Sequence, residues 1–381
     1  MWSNLAPKTN WIKKVLTKIF TWIVTFFYLI LPPYPPLIIK KAMFCSPPRG
    51  YYYFLVGEKN GKKVPCFYAK DAVQMERLSI CLPQMINTRI RAIDVFYHLL
   101  RCKVKLLPYE ETKHIVAMEL FCEQSVRWLH RNTGVRRVRS PNLIIFSQPN
   151  SSDIGCCLMM DPNFADIADF LYCDMLIYDY AGYGVSDGTT SEKVLYASAE
   201  AVIEYAVNGL GYTTDQIILI GFSLGTAASI HLASKYKVAA LVLIAPFASF
   251  LKIILGCTKT NFSVDMFPSY IKSTSITCPT LICHGQNDAI VSHKHGIALQ
   301  ACIPNCELYL MKASHQGIFC ERSMWDRVEE FLHRKVGITK KWIDCIESEL
   351  TFNSSSLSRS GLSTTGTITP TQTTTMTQSA E

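Results

Sequence analysis

The chain has 381 residues, 49% of them apolar, and a formal net charge of +8. That is enough apolar material to bury a core, and a single α/β sheet domain can run well over about 250 residues. Fifteen cysteines, an odd number without metal-type C-x-x-C pairs, argue against a metal module and fit free thiols in a reducing compartment.

The charge is uneven. Residues 1–140 hold 23 Lys/Arg against 8 Asp/Glu, and residues 141–381 hold 15 against 22. A basic N-terminal part suits an anionic partner. No nucleic-acid motif is present, so the expected partner is a membrane lipid bilayer and not nucleic acid.

The first element, residues 1–45, supports that expectation. No charged residue occurs from Ile19 to Ile39, and Ile19–Leu31 is apolar on every face before Pro32-Pro33-Tyr34-Pro35-Pro36 breaks it. Thirteen helical residues span about 20 Å, short of the roughly 30 Å hydrocarbon core. The segment therefore crosses the bilayer marginally or lies in one leaflet. Lysines flank both ends (Lys13, Lys14 and Lys18; Lys40 and Lys41), so charge does not choose an orientation. A cleaved signal peptide is disfavoured because no small-x-small site follows. A helix of the protein core is the weaker alternative.

Tyr51–Tyr68 reads as a hairpin turning at Asn60-Gly61. Residues 69–140 then read as an insertion of two or more amphipathic helices. Ile86, Ile90, Ile93, Tyr97 and Leu100 recur at helical spacing, as do Ile115, Met118, Cys122, Ser125 and Leu129. The insertion is a lid, a membrane-facing platform or a packing decoration. A strand follows at Leu143–Ser147, with Cys156-Cys157 opening the next helix as packing residues.

The chemistry is carried by Gln216-Ile-Ile-Leu-Ile-Gly221-Phe222-Ser223-Leu224-Gly225. An apolar β-branched run ends in Gly-x-Ser-x-Gly and a small-residue helix pattern follows. This is the sequence form of a nucleophile elbow, a sharp strand-to-helix turn that presents a serine hydroxyl. Small residues flank the serine because strand and helix approach closely there. A serine hydroxyl is inert without a base and an orienting acid, which follow it in the order Ser, Asp/Glu, His. Asp288 ends the polar turn after Pro279–Gly285, and His315 lies in the loop after the strand from Glu307. Asp288 could instead cap a helix near Ser292, and His284 and His293 are competing bases, but both precede the place of a third member. A helix bearing Met324, Val328, Phe331 and Leu332 closes the domain. The tail, 346–381, is Ser/Thr-rich from Asn353 and is expected to be disordered.

Residues 51–338 resemble the α/β-hydrolase superfamily: a mostly parallel central sheet with helices on both faces. Within it, the chain is similar to the alpha/beta hydrolase domain-containing protein 17 group of membrane-associated protein depalmitoylases. The likeness rests on Tyr178-Asp-Tyr-Ala-Gly-Tyr-Gly-Val-Ser-Asp-Gly188, Gly221–Thr226, Ala245-Pro246-Phe247-Ala248-Ser249, His284-Gly285-Gln286-Asn287-Asp288 and Ser314-His315. The family's oxyanion loop reads His-Gly-Asn-Ala, whereas this chain has Gln148-Pro149-Asn150-Ser151. The expected oxyanion donors are the backbone N–H groups of Leu224 and Asn150. Pro35–Ala42 looks like the family's juxtamembrane stretch. The family's N-terminal cysteine cluster for lipidation is replaced by the apolar segment, which leaves Cys45 as the nearby candidate for acylation.

The expectation is a membrane-anchored serine hydrolase whose catalytic domain faces the cytoplasm, with Ser223 as nucleophile, His315 as base and Asp288 as orienting acid. No cofactor and no metal are called for. The expected substrate is an S-acylated protein. A membrane-lipid ester is the runner-up, and a catalytically impaired hydrolase-fold binding protein is the third reading.

Overall fold

The computed structural model describes residues 15, 17–23, 26, 43–83, 97–125, 140–256, 265–339 and 342. The Ser/Thr-rich tail and the first helical group of the expected insertion up to Ile93 lie outside them.

Two sheets form the body. Strands β1 (Phe54–Lys59), β2 (Lys62–Cys66) and β3 (Leu78–Cys81) make a small antiparallel sheet in the order β2-β1-β3. Its hairpin turns at Asn60 and Gly61, both at positive φ (52° and 71°), as the Asn-Gly pair predicts.

The main sheet has eight strands: β4 (Cys102–Glu110), β5 (Lys113–Leu120), β6 (Leu143–Ser147), β7 (Asp174–Tyr178), β8 (Ile217–Phe222), β9 (Ala240–Ile244), β10 (Thr280–Gly285) and β11 (Cys306–Met311). Their order is β11-β10-β9-β8-β6-β7-β5-β4. The strands from β6 to β11 pair in parallel, and β4 and β5 form an antiparallel edge.

Every residue of β6, β7, β8 and β9 is buried. Their apolar runs show no polar alternation because helices cover both faces. One core contains Phe146, Ile177, Ile220 and Phe222 with Phe319, Trp325 and Phe331. The opposite core contains Ile145, Leu176, Leu219 and Leu243 with Leu195, Val202 and Ile230. Each such side chain contributes on the order of 1.5–3 kcal/mol when fully buried. The closing helix, Arg322–Val336, buries Met324, Val328, Phe331 and Leu332, the stripe expected of it.

The reading of residues 69–140 as a helical insertion is corrected in part. Ile115 and Met118 stand in β5, and this interval supplies β3 of the small sheet and the two antiparallel strands, β4 and β5, at one end of the main one. From Ile115 to Leu120 the strand is buried on both faces, so its period-2 signal vanished and a chance three-residue spacing imitated a helix. Tyr97–Leu100 is helical as expected.

Residues 17–23 are helical, and Phe20 and Trp22 are 67% and 77% exposed. Among the described residues no helix is long and apolar enough to cross a membrane.

Candidate active site

Ser223 links β8 to the helix Leu224–Lys235 at φ 52° and ψ −115°, a backbone conformation that L residues rarely adopt. The two glycines permit it. A Cβ on Gly225 would overlap the Ser147 carbonyl, and one on Gly221 would lie 2.6 Å from the Gly225 carbonyl oxygen. The strand end, the helix start and the loop after β6 therefore touch at backbone level.

His315 follows β11. Its Nε2 lies 2.9 Å from Ser223 Oγ, and its Nδ1 lies 2.6 Å from Asp288 Oδ2. Asp288 follows β10, where its Oδ1 accepts the N–H groups of Ile290 (2.9 Å) and Val291 (2.7 Å). Burial alone would raise this carboxyl. Hydrogen bonds with His284, His315 and the Val291 N–H outweigh burial and hold it well below the usual carboxylate range. The three residues picked from sequence order thus meet from three strand ends. The capping alternative for Asp288 is also realised in part, since one oxygen holds the turn while the other faces the imidazole.

The competing bases fall elsewhere. His284 is fully buried behind the acid, with Nε2 2.9 Å from the Val291 carbonyl and 3.5 Å from Asp288 Oδ2. His293 sits half-buried just before the helix Lys294–Gln300. Phe222 and His315 have ring centroids 5.6 Å apart, and Phe222 stacks on Phe319 at 5.4 Å, so an aromatic wall backs the imidazole.

The loop after β6 lies against the Ser223 turn. Leu224 opens its helix, so its N–H is a first-turn donor without an intrahelical acceptor. Gln148, which stands where the family has histidine, is fully buried. Its Nε2 donates to Asp179 Oδ1 (2.8 Å), and its carbonyl accepts from the Tyr180 hydroxyl (2.7 Å). Asp179 also accepts from Ile154 N–H (3.0 Å) and from the Tyr53 hydroxyl. Asn150 Oδ1 accepts from Tyr183 OH (2.6 Å) and from the backbone N–H of Cys45 (2.9 Å).

Sequence reasoning missed these supports. Asp179, Tyr180 and Tyr183 lie in the quoted Tyr178–Gly188 motif, which was the available signal. Burial, then repulsion from Asp179, raises the Asp153 carboxyl. Burial likewise leaves Asp179 raised, despite the hydrogen bonds from Tyr53, Gln148 and Ile154. Among the described residues no three His, Cys, Asp or Glu side chains are grouped to hold a metal ion.

A family model described as alpha/beta hydrolase fold matches residues 147–265. Alpha/beta hydrolase domain-containing protein 17C of Mus musculus is 31% identical over 230 residues, covering 59% of this chain and 70% of the relative. The chain belongs to the alpha/beta hydrolase domain-containing protein 17 family. Protein 17B of Homo sapiens is 32% identical over 202 residues, covering 52% of this chain and 69% of its own. Protein 17C of Xenopus tropicalis is 34% identical over 195 residues, or 51% of this chain. That match spans 62% of the Xenopus protein, less than two thirds of its length. In this member of the family, the matched fold region holds the Gln148–Asn150 loop and the Ser223 elbow. Asp288 and His315 lie beyond it.

Proposed function

We propose that this protein is a membrane-anchored serine hydrolase that cleaves acyl thioesters of S-acylated proteins. The observation that carries this reading is the unbroken chain Ser223 Oγ, His315 Nε2, His315 Nδ1, Asp288 Oδ2 at a strained backbone position. Ser223 attacks the acyl carbonyl while His315 takes its proton. The tetrahedral oxyanion sits against the N–H groups of Leu224 and Asn150. His315 returns the proton to the leaving thiolate, and water, activated by the same imidazole, then releases the acid. Asp288, held ionised by its hydrogen bonds with His284, His315 and the Val291 N–H, keeps the proton on Nδ1 and steadies the imidazolium.

Family membership and the uncharged segment Ile19–Ile39 support an acylated protein at a bilayer as substrate. A catalytic domain facing the reducing cytoplasm is supported by the cysteines. Among the described residues thirteen form no disulfide, and burial pushes Cys102 and Cys283 up to about 12, too high to leave reactive thiolates.

The test is competitive labelling of membrane fractions with a fluorophosphonate, challenged by palmitoyl-thioester peptides and by monoacylglycerol. Preferential protection by the thioester supports the assignment. Preferential protection by the glyceride moves the substrate to lipid esters.

A further inference from the structure

The segments that flank the first two strands of the small sheet leave an aromatic and basic patch uncovered. Tyr51, Phe67 and Tyr68 are 48%, 42% and 43% exposed. Phe67 and Tyr68 form one patch with Arg49 and Lys70, and Tyr51 is two residues along the chain from Arg49. Arg49 lies 4.4 Å over the Tyr68 ring and donates to the Phe67 carbonyl (3.1 Å). Lys70 Nζ lies 5.1 Å from the same ring, and Phe67 packs on Phe54 at 5.1 Å. Single exposed aromatics need no explanation, but a contiguous patch does. From Arg49 to Lys70 the chain carries five cations against one carboxylate, Glu58. Aromatic rings mixed with cations suit the headgroup layer of an anionic leaflet.

The chain path brings this face to a bilayer. Met43 is buried in the body, only four residues after Ile39, where the uncharged run ends. Four extended residues reach at most about 14 Å. If the run enters lipid, which rests on the membrane reading above, the body cannot stand off the surface. From Met43 the strap passes Asn150 through the Cys45 N–H, and Arg49 fastens it to the Ser186 carbonyl (3.1 Å). The patch follows directly.

We propose that the face made by Arg49, Phe67, Tyr68 and Lys70 docks on an anionic lipid surface and so holds the catalytic mouth against membrane-bound substrate. Docking through this face aligns the site with acyl chains that leave the bilayer at headgroup level.

The experiment places the full-length chain in vesicles of phosphatidylcholine and phosphatidylserine. Two variants are compared with wild type: Phe67→Ser with Lys70→Glu, and the charge-only Lys70→Glu. Each is assayed on a palmitoyl-thioester peptide in the vesicles and on a water-soluble short-chain ester. Both variants should keep the soluble rate within about twofold and lose about tenfold or more on the vesicle substrate. An unchanged vesicle rate, or an equal loss on both substrates, overturns the docking face. Wild type inert on both substrates refutes the hydrolase reading instead. Hydrogen exchange then decides the face: amides of residues 62–73 should be protected by these vesicles relative to detergent, and less so in the variants. Absence of protection, or protection that requires an added protein fraction, overturns it.

Discussion

The backbone N–H of Cys45 donates to the side-chain oxygen of Asn150 at 2.9 Å, across 105 residues of sequence. The strap that leads in from the apolar N-terminal segment is thereby part of the support for the loop expected to bind the oxyanion. The Tyr183 hydroxyl makes the second bond to the same oxygen at 2.6 Å. Tyr183→Phe removes one of these two bonds without opening a large cavity. It should lower kcat on a soluble ester by about two- to tenfold, the usual worth of one hydrogen bond, and leave KM nearly unchanged. Steady-state kinetics checks this, and a change confined to KM would place Tyr183 in substrate binding instead.

Gly225→Ala tests the elbow. The added methyl would overlap the Ser147 carbonyl and press on that of Gln148 at 2.9 Å. Backbone atoms cannot yield as a flexible side chain can. Overpacking of this kind costs about 1–3 kcal/mol, so the melting temperature should fall. Hydrolysis should be lost in the fraction that still folds, because Ser223 is displaced. Retained wild-type turnover would show that the elbow tolerates the displacement.

How much of this was legible in the sequence follows from where the signals lie. Ser223, Asp288 and His315 each follow an apolar strand and come in the order a triad would need, so local patterns singled out three side chains that the fold brings into contact. Asn60-Gly61 announced its own turn. The edge strands were hidden, because the buried run Ile115–Leu120 has no alternation to read. The Tyr53–Asp179 contact joins segments 126 residues apart, and Gln148–Asp179 joins segments 31 apart. No periodicity encodes a polar cluster assembled from three separate segments. The sequence marked Gln148 only as a departure from the family, whereas the fold makes it the partner of a buried carboxylate.

Arg101→Ala should be destabilising without touching the chemistry. Arg101 is 4% exposed and grips Asp169 through both terminal nitrogens (2.9 and 2.6 Å), while its Nε donates to the Phe121 carbonyl. Truncation strands part of a buried ion pair, which costs about 3–5 kcal/mol. Chemical denaturation should report that loss, with the labelling rate per folded molecule unchanged. A loss below about 1 kcal/mol would class this pair with ordinary surface ion pairs.

The Asp153–Asp179 pair sets a pH dependence of stability. Burial first, and for Asp153 the neighbouring Asp179 charge next, raise both carboxyls above their ordinary 3.8. As pH climbs past that value the unfolded chain releases these protons first. The folded state then binds more protons, so stability falls with rising pH through the carboxyls' raised range. Asp288, which is lowered, acts the other way: its contribution is full above the ordinary value and is lost as pH falls. Asp153 caps the helix Ile154–Met159 through the Cys156 N–H, and asparagine caps as well. Asp153→Asn should therefore keep the cap and flatten the decline in melting temperature between about pH 5 and about pH 8. A decline as steep as wild type would show that the pair does not titrate in that range.

The central claim is that Ser223, activated by His315 and not by His284, is the nucleophile. Its direct test is the rate of fluorophosphonate labelling of full-length wild type, Ser223→Ala, His315→Ala and His284→Ala in membranes. The account predicts no labelling of Ser223→Ala. It predicts a loss of several orders of magnitude for His315→Ala, since serine and histidine act as a unit. His284→Ala should keep a clearly measurable rate, because that ring lies behind Asp288 and bonds the Val291 carbonyl. Labelling of Ser223→Ala at the wild-type rate, or loss in His284→Ala with retention in His315→Ala, would contradict it.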